Sequence, residues 1–191
     1  MKHIFLFIIL AFSLSLTAQE TSYICGSGTK TLTASATGGT APITYTWTSP
    51  SSTVTTGATV TAGASGVWTW NATDANGCTA TGTHTIIIEP DPTASITLNA
   101  TNSCVGANQT ISATGVPSGY TYAWDFGSGA NPATSTSSSA SVSYSTTGTK
   151  TITLVISKTF TGSTNGCSAT CTWTKTTTIT IGNLTGSSSC S

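Results

Sequence analysis

Tyr120-Thr-Tyr122-Ala-Trp124-Asp125-Phe126-Gly127-Ser-Gly129 is the stretch on which the fold turns. Its aromatics alternate with small residues, the period of a strand with one face in a core. The Tyr-x-Trp centre occurs earlier as Tyr45-Thr-Trp47, and the match extends outward in both directions. Ser35-Ala36-Thr37-Gly38 precedes Tyr45 at the spacing at which Ser112-Ala113-Thr114-Gly115 precedes Tyr122. Downstream, Asn76-Gly77-Cys78-x-Ala80-Thr81 answers Asn165-Gly166-Cys167-x-Ala169-Thr170, and upstream Cys25 answers Cys104. One unit is written twice.

The length, 191 residues, gives room for about two domains of common size. Only 5% of the chain is charged and the formal net charge is zero, against about a quarter charged in ordinary domains. The chain is not thereby disordered, because five Trp and five Tyr are set in Thr- and Val-rich runs that favour pleated, half-buried structure. Helix formers are scarce past residue 16, so the fold class is all-β. Past the leader the cations are Lys30, Lys150, Lys158 and Lys175, too thinly spread to attract phosphate, and no nucleic-acid partner is expected.

Met1 to Ala18 has a basic start, an apolar run from Ile4 to Leu14 and small residues before Gln19. This is the build of a cleaved signal peptide and is too short for a spanning helix. No second long apolar stretch follows, so no membrane span is expected after cleavage. Export makes the six cysteines readable as bridges. The repeat points to Cys25 with Cys78 and Cys104 with Cys167. Cys171 and Cys190 are left to pair with each other, or Cys190 opens a further unit; fifteen connectivities are formally open.

Strands are read where threonines alternate with apolar residues: Lys30 to Thr37; Ile43, Tyr45 and Trp47; Val67 to Asp74 with Trp68, Trp70 and Ala72 on one face; and Cys78 to Glu89. Asn76-Gly77 marks a hairpin turn between the last two. In the second unit Gln109 to Thr114, Tyr120 to Trp124, Val142 and Tyr144, Lys150 to Ile156 and Cys171 to Ile181 follow the same order. This copy carries twelve extra residues, assigned to the polar loop Ser128 to Ser139. Lys150 is expected to lay its methylenes on the core edge and keep its ammonium in water. About seven short strands per unit make two tandem immunoglobulin-like β-sandwiches. The boundaries are 1–18 signal peptide, 19–89 first sandwich, 90–93 Pro-rich linker, 94–181 second sandwich, and 182–191 polar tail or the start of a further repeat.

Candidate chemistry is sparse. Past the leader His84 is the only histidine and is read as a surface or edge residue with no serine or cysteine partner nearby. Glu89 and Asp91 are the only acids close in sequence; they lie in the linker and read as a solvated spacer. Asp74-x-Asn76-Gly77 echoes a calcium loop but lacks its later ligands, so it reads as a hairpin turn. Structural calcium there or at Glu89 and Asp91 is the one cofactor the sequence leaves room for, and no other is expected. Asp125 reads as an acceptor of backbone hydrogen bonds. Trp47, Trp124, Tyr45 and Tyr122 read as core aromatics, and Trp173, which the core does not claim, as a possible ligand contact.

Tyr122-Ala-Trp124-Asp125-Phe126-Gly127, followed by Val142-Ser-Tyr144 and by Gly148 to Leu154, resembles the polycystic-kidney-disease (PKD) domain family over nearly all of Ala94 to Ile181. The first unit, with Gly38-Gly39 to Pro42, Tyr45-Thr-Trp47 and Thr73 to Cys78, resembles repeats of the large surface adhesins of gliding Bacteroidetes. The resemblance implies a secreted or surface-exposed bacterial protein without catalytic activity, a spacer or adhesive segment contacting a surface protein or glycan. The alternative is a polysaccharide-binding accessory module of a secreted hydrolase.

Overall fold

In the computed structural model, residues 20–161, 169–185 and 189–190 are described. The leader Met1 to Ala18 and Cys167 lie outside them. No helix among the described residues is long and apolar enough to cross a membrane. The described residues are all-β and divide at Glu89/Pro90 into two compact units. Each is an immunoglobulin-like sandwich.

In the first unit, β1 (Glu20–Cys25), β7 (Thr79–Glu89), β6 (Gly66–Thr73), β3 (Thr44–Thr48) and β4 (Val54–Thr56) lie side by side in that order. A second sheet pairs β2 (Lys30–Thr33) with β5 (Thr59–Ala62). Alternation decides what goes inside: Trp68, Trp70 and Ala72 of β6 are buried, as are Trp47, Leu32, Ile24 and Ile86. The threonines between them face outward and satisfy the pleat without adding charge.

In the second unit, β8 (Ser95–Leu98), β10 (Gln109–Thr114), β14 (Ser139–Tyr144) and the short β12 (Ala130–Asn131) form one sheet. The other contains β9 (Asn102–Cys104), β16 (Ala169–Gly182), β15 (Gly148–Phe160), β11 (Thr121–Asp125) and β13 (Thr134–Ser135). The order of the main strands repeats the first unit's, and the match reaches the parallel edge strands. β1 runs parallel to β7 with Cys25 opposite Glu89, and β9 runs parallel to β16 with Cys104 opposite Gly182. Trp124, Phe126, Tyr144, Ile111, Leu154 and Ile156 are core residues. The Tyr144 phenol donates to the Phe126 carbonyl at 2.9 Å, and burial raises its pKa above the ordinary value.

The pairing of Cys25 with Cys78 is corrected by the strand directions. Cys25 ends β1 beside Glu89, whereas Cys78 precedes Thr79, at the other end of an 11-residue strand. At a rise of about 3.3 Å per residue the two lie roughly 35 Å apart, and a disulfide needs Cα atoms within about 7 Å. Cys78 is accordingly a free, exposed thiol, while Cys25, Cys104 and Cys171 are disulfide-bonded. The same distance along β16 separates Cys104, opposite Gly182, from Cys171, so those two do not bond each other.

Three smaller expectations also change. Lys150 is 6% exposed and donates to Thr146 Oγ1 at 2.7 Å instead of reaching water. Asp91 is no free spacer, since the Lys175 ammonium donates to both its oxygens at 3.0 and 3.1 Å. Beyond β16 the tail pairs β17 (Leu184–Thr185) with β18 (Ser189–Cys190).

Two measurements check this architecture. Tyr144→Phe strands the buried Phe126 carbonyl and should cost about 1–2 kcal/mol, read from urea midpoints. Cys78→Ser should shift stability by no more than about 0.5 kcal/mol, whereas Cys104→Ser should cost about 2–5 kcal/mol.

Candidate functional site

The parallel ladder between β1 and β7 sets Glu20 opposite His84 and Ser22 opposite Ile86. Even-numbered residues of both strands face inward, as the burial of Ile24 and Ile86 shows. Glu20, Ser22 and His84 therefore meet on the inner face. His84 lies with Nδ1 3.3 Å from Glu20 Oε2 and Nε2 2.9 Å from Ser22 Oγ. A carboxylate can only accept, so Nδ1 carries the proton and Nε2 accepts from the Ser22 hydroxyl. Burial lowers the His84 pKa below its ordinary value; the Glu20 carboxylate opposes this, and the charge of Lys30 adds to it. The histidine is thus buried and partnered, which corrects the surface reading. Sequence alone did not reveal Glu20 and Ser22, because a short first strand pairing with residues more than sixty positions away leaves no local periodicity to find.

Beside this cluster a cavity of about 120 Å³ opens between the sheets. Glu20, Thr33, Ser35, Trp47, Trp70, Thr83 and His84 line it. Trp70 lies flat on Gly82, where a Cβ would stand 2.6 Å from the indole. Any larger residue at Gly82 would force the ring or the strand to shift.

The two repeats differ at this point. Trp124 donates its indole N–H to the Ser137 carbonyl at 2.8 Å, and Ser112 meets Ser139 at 2.8 Å. Ser137 lies in the connection between β11 and β14, and Ser139 begins β14. Trp47 and Ser35 hold the equivalent places in the first unit. Trp47 is 1% exposed and its N–H has no partner, an unmet buried donor that ordinarily finds an acceptor.

The other sequence candidates find structural places. Trp47 and Trp124 are buried in the two cores, and Tyr45 and Tyr122 pack half-buried against them. Asp74 is a turn clasp: its carboxylate accepts from the backbone N–H groups of Thr40, Asn76 and Cys78 at 2.9, 3.0 and 2.8 Å. These bonds, that from Thr40 foremost, lower its pKa against the opposing effect of burial. Both oxygens are committed, which leaves no calcium loop there. Asp125 accepts from Gly127 N at 2.8 Å. Trp173 is half-buried with its ring 5.8 Å from Tyr120, at 49°; Lys158 Nζ lies 5.2 Å from the Tyr120 ring. Trp173 is packed rather than free-standing.

Serine, histidine and carboxylate in series have the order of a hydrolase relay. Here Ser22 sits inside a paired strand and does not line the cavity, so a substrate held there would not meet its hydroxyl. No group of three His, Cys, Asp or Glu that could hold a metal ion occurs among the described residues.

Among solved structures, the chain is similar to the amphioxus IgVJ-C2 molecule, at 10% identity over 83% of this chain and 99% of that one, with a TM-score of 0.36. Murine CEACAM1b matches at 10% identity over 87% and 99%, TM-score 0.36. The N-terminal four Ig domains of Dscam1 isoform 7.44 match at 11% over 87% of this chain and 44% of that one, TM-score 0.32. No protein-family model matches, and no curated protein does.

The His84 cluster carries a pH signature. A histidine with a lowered folded-state pKa takes up its proton in the unfolded chain first. Its stabilising contribution is therefore full above about pH 6.5 and declines as pH falls from there towards the folded value. Urea midpoints measured from pH 7.5 down to pH 5 should fall for the wild type, and the fall should be shallower in His84→Gln.

Proposed function

We propose that the chain is an exported, non-catalytic pair of immunoglobulin-like modules that serves as a spacer and contact segment of a bacterial surface protein. The observation that carries this reading is the outer face of β15 and β16. Thr170, Thr172, Thr174, Thr176, Thr178 and Thr180 are all exposed on one side of β16, and across the ladder Thr149, Thr151 and Thr153 stand opposite three of them. Such a face offers hydroxyls and methyls without charge. It suits weak, repeated contacts and an extended stalk more than a single charged partner.

Bonded Cys25, Cys104 and Cys171 support an oxidising compartment, in keeping with the leader. The resemblance of 94–181 to PKD domains and of 19–89 to gliding-adhesin repeats supports attachment at the cell exterior, with 90–93 as the linker between them. Mass spectrometry of the exported protein should find a mature N-terminus at Gln19. Antibody raised against the second unit should label intact cells and lose its target after protease shaving. Labelling that appears only after lysis would sink the proposal.

A further inference from the structure

The two units differ in how far their smaller sheet is built. In the second, β14 and β10 are followed by β8, whereas in the first the corresponding sheet stops at β5 and β2. The strands correspond residue by residue: Leu32 stands opposite Val60 as Gln109 stands opposite Val142, and Ser35-Ala36-Thr37-Gly38 repeats Ser112-Ala113-Thr114-Gly115. Among the described residues no strand takes the place of β8 beside β2. The Ala34 N–H donates to the Ala58 carbonyl beside β5 at 2.8 Å, so by the alternation of an antiparallel ladder Thr31, Thr33 and Ser35 turn their N–H and C=O groups to the open side. All three side chains are exposed, while Leu32 and Ala34 between them are buried. An uncovered edge of this kind is a template for another strand.

In the second unit β8 shows which strand such an edge takes. It runs antiparallel to β10 with Thr97 opposite Ser112 and Leu98 opposite Ile111, and the Asn99 N–H donates to the Thr110 carbonyl at 3.2 Å. In the first unit the equivalent places face Ser35, Ala34 and Thr33, and the sequence they call for is that of Ser95-Ile-Thr-Leu-Asn99. β2 itself comes near to it with Thr29-Lys-Thr-Leu-Thr33, whose Leu32 is the only leucine of residues 19–89. We propose that two copies of the chain pair β2 with β2, antiparallel, across a two-fold axis at Thr33. The partner's Thr31 then faces Ser35 and the partner's Leu32 faces Ala34, as Thr97 and Leu98 face Ser112 and Ile111 in the second unit. The two Thr33 residues exchange N–H and carbonyl across the axis. The pairing set by β8 is thus the one that two-fold symmetry requires, and it closes on itself as a dimer. Lys30 faces the partner's Ala36, which leaves the two Lys30 residues roughly 20 Å apart along the ladder, beyond the ~8 Å over which like charges act at physiological salt. The joined sheet has four strands, β5, β2, β2 and β5, as many as β12, β14, β10 and β8 make in the second unit.

The test is sedimentation velocity of the chain without its leader, from micromolar to near-millimolar concentration, over which monomer should give way to dimer. Thr33→Lys sets two lysines on a residue pair whose Cα atoms lie about 5.5 Å apart and should weaken the dimer by about fivefold or more. Its unfolding temperature should be unchanged at low concentration, because the position is exposed; Ser35→Lys serves if that variant does not fold. In a Cys78→Ser background a short bis-maleimide should join Thr33→Cys chains in pairs and leave Thr31→Cys chains, whose thiols stand about 13 Å apart, unjoined. Monomer at every concentration, a dimer that the lysine variants leave as strong, or equal cross-linking at both cysteines overturns the proposal. So does a dimer weakened only by Thr55→Lys, which would put the contact at β4. A monomer whose edge is taken only by a synthetic Ser95-to-Asn99 peptide overturns it as well, by making the occupant a foreign strand. None of these results changes the surface-labelling outcome, so this inference and the function proposed above fail separately.

Discussion

A tryptophan placed between two sheets must hide a large apolar ring and still hand its N–H to an acceptor. Much of this structure follows from how each repeat meets that demand. Both put the indole on the strand next to one edge of the five-stranded sheet, at Trp47 and Trp124, where neighbours on either side exclude water. In the second unit the connection from β11 to β14 returns over the ring and supplies the Ser137 carbonyl. The first unit has no such loop, and its solution is a gap bordered by Trp70, His84 and Glu20.

The cysteines show how a sound repeat argument can still choose wrong partners. Equivalent positions in two copies were identified correctly: Cys25 and Cys104 each end the first edge strand, opposite the last residues of the final strand. What spacing in sequence cannot convey is direction. Because β1 runs parallel to β7, the residue just before β7 is carried to the opposite end of the sandwich, and Cys78 is left to the turn clasped by Asp74. Its backbone N–H serves the fold by donating to Asp74.

Alternation made most of the strands readable. Trp68, Trp70 and Ala72 on one face, and Ile152, Leu154 and Ile156 on another, are buried as their period requires. The tight turn at Asn76-Gly77 stands where that dipeptide demands, with Gly77 at φ 81°. Strands β1, β4, β5 and β9 were not visible, since three to six residues of mixed threonine, serine and a single apolar side chain carry too little pattern to count. The site suffered for the same reason. Its walls come from five strands, and the residues that give it chemistry, Glu20 and Ser22, sit on the strand with the weakest signal. Lys150 and Asp91 were misjudged because each found one partner, Thr146 and Lys175, that no local rule predicts.

The parallel edge has a mechanical side. In the first unit the chain enters along β1 at Glu20 and leaves along β7 at Glu89, and the two strands point the same way across six residue pairs. Tension applied through those two ends slides one strand past the other, so all the rungs are loaded together instead of parting one by one. A domain built this way yields late and abruptly under pull.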